Sequence, residues 1–246
     1  MNKLAVLTFT LLLFLSTMLW YLANGSFNQY LKSQIELQGE YYSAHKTTLT
    51  LAEYVKQQKT ATFNQLTLAN ISAEPVRNVL TIDTAEVEVS ESPQQNLTTE
   101  ISKITINKLT INIIKEDDKN NIKELIQKVK FILASDYPQS YPAISAKIYA
   151  QAHPELNAEE FAKQNPQVGP IIEQVKQKKS RGKPQPKIII TAINIKTLEL
   201  NITEKNSTKS IQKHDIQVEN IGDTQGIVVN QIGGEILLNL LTLANI

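Results

Sequence analysis

The chain has 246 residues, with 25 basic and 24 acidic side chains and a net charge of +1. That balance supplies no overall attraction to nucleic acid. Cysteine is absent, which excludes disulfides, Cys-ligated zinc and thiol nucleophiles, and the 8 glycines argue against a phosphate-cradling Gly-rich loop.

The first element is a charge-free stretch from Leu4 to Ala23, which as a helix spans roughly 30 Å, the thickness of a bilayer's hydrocarbon core. Trp20 and Tyr21 stand at its outer end, where amphipathic rings favour the interface. A cleaved signal peptide has a shorter apolar region and a small-x-small site, and Tyr21-Leu22-Ala23 fits that site poorly. Residues 1–23 are therefore expected to form an uncleaved transmembrane anchor. Lys3 and the terminal amine favour an N-terminus inside the cell, which puts the bulk of the chain on the far side, in the periplasm for a Gram-negative source. What remains suffices for one large domain or two small ones.

Residues 24–46 read as a stem. Phe27, Tyr30, Leu31 and Ile35 fall at helical spacing, and Gly39 is the expected C-cap. Such a helix either lies on the membrane surface or packs on a following sheet.

From residue 47 the period changes to two. Residues 47–55, 61–69, 79–89 and 101–114 alternate apolar with polar side chains and are rich in Thr, Ile and Val, as strands prefer. Their short polar linkers predict an antiparallel meander. Ile122, Leu125, Ile126, Val129, Ile132 and Leu133 then mark one face of a helix over 121–134, with Asn121 and Glu124 at capping-box spacing. The first sheet portion plus this helix occupies 47–134. Residues 135–186 hold seven of the nine prolines, from Pro138 to Pro186, and read as an inserted segment with helical pieces at 157–164 and 169–178. Lys176 to Lys183 is a basic run, suited to anionic headgroups or to plain solvation. The second sheet portion, 187–246, has strands at 187–202 and 210–221. It closes in a helix marked by Val228, Ile232, Ile236 and Leu240, despite Gly233 and Gly234.

Two strands repeat one pattern. Ile104, Ile106, Leu109, Ile111 and Ile113 are spaced two, three, two, two, and so are Ile193, Ile195, Leu198, Leu200 and Ile202. Ala61, Phe63, Leu66 and Leu68 echo it. A step of three keeps the apolar face constant if a bulge adds a residue, and aligned bulges predict a curved sheet cupped about its apolar face. An ordinary half-buried sheet under a helix is the alternative.

The order of these features resembles the N-terminal portion of the AsmA-like family of bacterial envelope proteins. The resemblance rests on the anchor and stem, on ATFNQLTLAN (61–70) before a loop with Pro75, on TIDTAEVEV (81–89) and on ISKITINKLTINII (101–114). It continues in Asn121-Ile122-Lys123-Glu124-Leu125 and in residues 218–241. It implies an anchored β-groove whose apolar floor contacts phospholipid, in a family tied to lipid transport and outer-membrane homeostasis. This chain lacks the long run of repeated strands of large members and is too short to bridge two membranes.

No residue constellation points to an enzyme. His45, His153 and His214 are isolated from one another, without the i, i+4 partner of a helical metal site. Asp215 follows His214, but neighbours on a strand face opposite ways. Glu116-Asp117-Asp118 and Glu159-Glu160 suit solvated turns and helix starts. Ser43-Ala44-His45-Lys46 has the Ser-x-x-Lys spacing of penicillin-binding enzymes without their companion motifs. Asn24, Asn70, Asn96, Asn201 and Asn206 head glycosylation sequons, which would be acceptors in a eukaryotic type II membrane protein and which a chain rich in Asn and Thr can also yield by chance.

The sequence thus predicts an α+β fold: a transmembrane helix, then a curved, mostly antiparallel sheet with amphipathic helices packed on it. The expected role is non-enzymatic, cofactor-free and metal-free lipid handling, with phospholipid and the membrane as partners and no nucleic acid. The apolar face is expected to comprise Phe63, Leu66, Leu68, Ile104, Ile106, Leu109, Ile111, Ile193, Ile195, Leu198 and Leu200. The rival role is an anchored adaptor that docks another envelope protein through sheet edges or the Pro-rich segment.

Overall fold

The computed structural model describes residues 27–70, 78–90, 98–116, 119–152, 186–205, 207–222 and 226–244. The expected anchor (1–23), the helical pieces at 157–164 and 169–178 and the basic run 176–183 lie outside the described residues. Among the described residues no helix is long and apolar enough to cross a membrane.

The fold is α+β. Helix α1 (27–43) leads into strands β1 (Thr47–Val55), β2 (Thr60–Ala69), β3 (Asn78–Val89) and β4 (Thr98–Glu116). After the two-residue β5 (Lys119–Asn120) come helices α2 (Asn121–Asp136) and α3 (Pro142–Ala152). Then follow β6 (Lys187–Glu204), β7 (Ser207–Ile221), the short β8 (Ile227–Val228), a 3-10 turn and helix α4 (Ile232–Thr242). One sheet holds all the strands, in the order β1-β2-β3-β4-β6-β7, with β5 against β4 and β8 against β6. Its long pairings are antiparallel except β4–β6, which is parallel.

That parallel pair explains the sequence repeat. Ile104 faces Ile193, Ile106 faces Ile195, Leu109 faces Leu198, Ile111 faces Leu200 and Ile113 faces Ile202. The two copies lie side by side and in register, so like side chains stack across the middle of the sheet.

The step of three is not the bulge the sequence predicts. In a bulge two residues oppose one and the register shifts. Here Leu49 and Ala52 face Leu66 and Phe63, these face Ile82 and Ala85, and these face Leu109 and Ile106. The series runs on through Leu198 and Ile195 to Lys213 and Ile216. All six long strands carry the extra residue at one level, so each turns two successive residues outward and no register is lost. Gln65 and Asp215, both on this line, take left-handed backbone with φ 53° and 54°. A second such line joins Ile101 and Ile104, Ile190 and Ile193, and Ile221 and Val218. Strand β3 lacks it, and there the register does shift, between Glu88 and Val89.

Several local expectations need correction. Helix α1 does not end at Gly39 but runs on to 43 and stops at Ala44, whose φ of 54° breaks the helical path. Gly39 is small because the Thr47 side chain lies against it. The N-cap of α2 is Asn120, not Asn121: its Oδ1 accepts from the backbone N–H groups of Ile122 (2.9 Å) and Lys123 (3.2 Å). Asn121 instead acts like a strand residue, accepting from Ile114 N–H at 2.9 Å and donating to the Asn112 carbonyl at 3.0 Å. Helix α3 opens at Pro142, where a missing N–H costs nothing, inside the Pro-rich segment whose helical pieces were expected only further on, at 157–164 and 169–178. Val228 belongs to β8 rather than to the terminal helix.

The core lies between one face of the sheet and helices α1, α2 and α4. Its members include Tyr42 from α1, Ile122, Leu125, Val129 and Leu133 from α2, and Leu238, Leu240 and Leu241 from α4.

Candidate functional site

The eleven residues predicted to line an apolar face do share one face. Leu68, Ile104, Ile106, Leu109, Ile111, Ile193, Ile195, Leu198 and Leu200 are all in the buried core, and Leu109 and Ile111 have no exposed surface. Phe63 and Leu66, on β2, are half-buried and pack against that core. In this arrangement helix side chains occupy the floor, and a ligand reaches the nine buried residues only if helices move away.

The two edges of the sheet are treated differently. At β1, helix α1 turns its polar side chains onto the strand. Asn28 Oδ1 accepts from Tyr54 N–H at 3.1 Å, Glu36 Oε1 accepts from Leu49 N–H at 2.9 Å, and Lys32 Nζ donates to the Thr50 carbonyl at 3.4 Å. These residues are four apart in sequence, one helical face laid along one strand. They satisfy backbone groups that a neighbouring strand would otherwise take, so this edge is closed.

At β7, among the described residues, a strand lies on one side only. Most of its 15 residues are exposed. Ile211, Ile216, Val218 and Ile221 face the helix side and pack against the core. Lys213 stands in the same row, opposite Leu198. An inward-facing charge on an edge strand deters indiscriminate pairing, and the left-handed residues Asp215 and Asn220 interrupt the edge further. The run free of such interruption is 207–214.

Polar chemistry gathers elsewhere, where the C-terminal ends of α1 and α2 meet the start of α4. Tyr42 OH donates to the Asn230 carbonyl at 2.8 Å, and Tyr141 OH donates to Glu235 Oε1 at 2.7 Å. Gln231 Nε2 also donates to Glu235 Oε1, at 2.7 Å, and Tyr41 OH donates to Asp136 Oδ2 at 2.7 Å. The bond to Asp136 pushes the Tyr41 phenol up to about 12. Burial is the main force raising Tyr42, Tyr137 and Tyr141, with Glu235 adding to the rise at Tyr141. Phenols held this firmly in the protonated form act as fixed hydrogen-bond donors that tie three helices together, not as proton acceptors near neutrality. Their sequence signal was weak, because tyrosines at 41, 42, 137 and 141 converge only through the tertiary fold.

The other sequence candidates are scattered. The Ser43 hydroxyl donates to the Gly39 carbonyl at 2.5 Å and accepts from His45 N–H at 3.0 Å, as a turn-forming residue does. Burial, helped by Lys128, lowers the His45 pKa. His214 lies 3.4 Å from Thr197 Oγ1 across the β6–β7 pair, and His153 lies outside the described residues. Among the described residues no group of three His, Asp or Glu side chains is placed to hold a metal ion. The Asn201 amide is engaged within the sheet, donating to Asn112 Oδ1 at 3.0 Å.

Comparisons with protein-family models, curated proteins and solved structures find no match.

Proposed function

We propose that this protein is a membrane-anchored, non-enzymatic adaptor of the bacterial cell envelope, and that β7 takes up an extended segment of a partner protein as one further strand. The observation that carries this reading is the contrast between the edges: α1 closes β1, while β7, among the described residues, is paired on one side only and is free of left-handed interruption over 207–214. Strand addition draws affinity from main-chain hydrogen bonds and selectivity from the side chains that flank them. Lys209 and Lys213 suit a segment bearing carboxylates. The anchor Leu4–Ala23 would hold the adaptor in the inner membrane with its sheet in the periplasm. The resemblance to AsmA-like proteins supports that address, since its motifs at 61–70, 81–89 and 101–114 fall on β2, β3 and β4.

The test is a photo-reactive residue placed at Gln212 of the full chain in its native membrane, beside a control at Asn107 on the outer sheet face. A partner captured at Gln212 and not at Asn107, and lost in the Lys213→Glu chain, supports strand addition. Equal capture at both positions rejects it. A second reading, a curved sheet that handles lipid, is favoured by Phe63 and Leu66, which stay half-buried at the margin of the apolar face. Phospholipid that co-purifies with the full chain and is lost in Leu66→Asp would move that reading to first place.

A further inference from the structure

Helix α1 buries Tyr42 in the core and also presents large apolar side chains outward. Its polar Asn28, Lys32 and Glu36 face the protein, where they close the β1 edge. Its outward face carries Tyr30 and Leu37, each 58% exposed, and at its end Tyr41, 55% exposed with its hydroxyl held by Asp136 of α2. Steps of seven and four residues put these three within about 40° of one another around the helix axis. Phe27 flanks them, 42% exposed, its ring edge-on to Tyr54 with centroids 5.5 Å apart. The face also holds Gln29, Ser33 and Glu40, and no lysine or arginine.

The neighbouring sequence indicates what this face meets. Only Asn24, Gly25 and Ser26 separate Phe27 from the charge-free stretch Leu4–Ala23. Three residues reach about 10 Å at full extension. If that stretch is embedded in a bilayer, the first turn of α1 must start at or within the headgroup layer. Tyrosines with one apolar and one hydrogen-bonding end are favoured at that depth. We infer that the Tyr30–Leu37–Tyr41 face of α1 lies flat on the membrane interface, so that the sheet is held close to the bilayer rather than dangling from its anchor. This inference rests on the anchored reading above. The lack of basic residues on this face calls for a zwitterionic surface, driven by apolar burial rather than by headgroup charge.

The absence of cysteine permits a direct test. Ser33→Cys, between Tyr30 and Leu37, takes a nitroxide in the full chain reconstituted into phosphatidylcholine vesicles, and Lys123→Cys on the exposed side of α2 serves as control. The expected result is collision with a water-soluble nickel chelate several-fold weaker at 33 than at 123, with the difference abolished by Tyr30→Ser plus Leu37→Glu. Unchanged circular dichroism of that variant confirms that the sheet remains. Equal accessibility at both sites in a chain that floats with the vesicles overturns the inference and leaves the anchor standing. A chain that does not float overturns both. Protection at 33 with nitroxide–nitroxide broadening assigns the face to a second copy and likewise overturns the inference.

Discussion

The junction of three helices permits a sharp test of packing. Gly234, in the first turn of α4, meets the Tyr42 ring and the Leu133 side chain so closely that an added Cβ would stand 2.8 Å from each. Neither neighbour has room to give: Tyr42 and Leu133 are fully buried, and the Tyr42 hydroxyl is fixed on the Asn230 carbonyl at 2.8 Å. In Gly234→Ala, helix propensity favours alanine by about 1 kcal/mol. Overpacking opposes it by about 1–3 kcal/mol, and strain on the Tyr42 hydrogen bond opposes it by about 1 kcal/mol more. The balance is a loss of about 1–3 kcal/mol, or roughly 2–12 °C in melting temperature for a chain of this size. Gly233→Ala is the control. There the added carbon meets chiefly the far end of the flexible Gln38 side chain, which can give way at the cost of the hydrogen bond its amide oxygen accepts from Gly233 N–H at 3.1 Å, so a smaller loss is expected. Thermal unfolding of the full chain in detergent, followed by circular dichroism, compares the two. If Gly234→Ala melts at or above the parent temperature, the three-helix contact is not as described.

Other outcomes follow from the same geometry. Leu109→Ala removes a side chain with no exposed surface and should cost about 2–5 kcal/mol in denaturant unfolding, while exposed Asn107→Ala should stay within about 0.5 kcal/mol of the parent. Glu36→Ala leaves the Leu49 N–H without its acceptor, a loss of about 1 kcal/mol and a roughly fivefold faster amide exchange at Leu49. Tyr41 rises from 10.0 to about 12 in the folded chain, so its contribution to stability is complete below pH 10 and is lost as pH climbs toward 12, where the unfolded chain has already given up the proton. Phenolate absorbance should accordingly show late ionisation from the raised Tyr41, Tyr42, Tyr137 and Tyr141, and Tyr41→Phe should remove one late step.

The strands were legible because alternation survives in β1 to β4 and in β6, where one face is buried and the other wet. The antiparallel meander of β1 to β4 was legible too, from its short linkers, but the parallel placement of β6 beside β4 was not. Alternation is the same for parallel and antiparallel pairs, so the matched pattern of 104–113 and 193–202 looked like two bent strands when it marked two strands in register. A single strand likewise cannot reveal whether its neighbours share its step of three. The answer lay in comparing Ala61-Phe63-Leu66-Leu68 with Leu80-Ile82-Ala85-Val87, which have the same spacing and pair residue for residue. The Asn120–Asn121 exchange of roles was hidden because either side chain can cap a helix, and the chain chose by which one reached β4. The open edge was least legible, since an edge is defined by what fails to pair. Its trace in the sequence was Lys213, which breaks the apolar row of β7.

Lys213 also supplies the clearest test of how that edge is managed. Across the sheet its row reads Leu49, Leu66, Ile82, Leu109, Leu198, Lys213, an apolar series ended by a charge on the open strand. The lysine stem can lie along Leu198 while its ammonium reaches water, so the folded chain tolerates it. A second copy pairing through β7 would place an identical ammonium near the first in a newly desolvated seam, and repulsion would oppose the pairing. Lys213→Leu completes the apolar row and removes that repulsion. The expected outcome is concentration-dependent self-association of the full chain in detergent, seen by sedimentation velocity, with little loss of stability. Lys213→Glu keeps a like charge in each copy and should remain unassociated, whereas a mixture of Lys213→Glu with the parent should associate. A Lys213→Leu chain that sediments like the parent at every concentration would show that something other than this charge guards β7, and the left-handed turns at Asp215 and Asn220 would be the next residues to change.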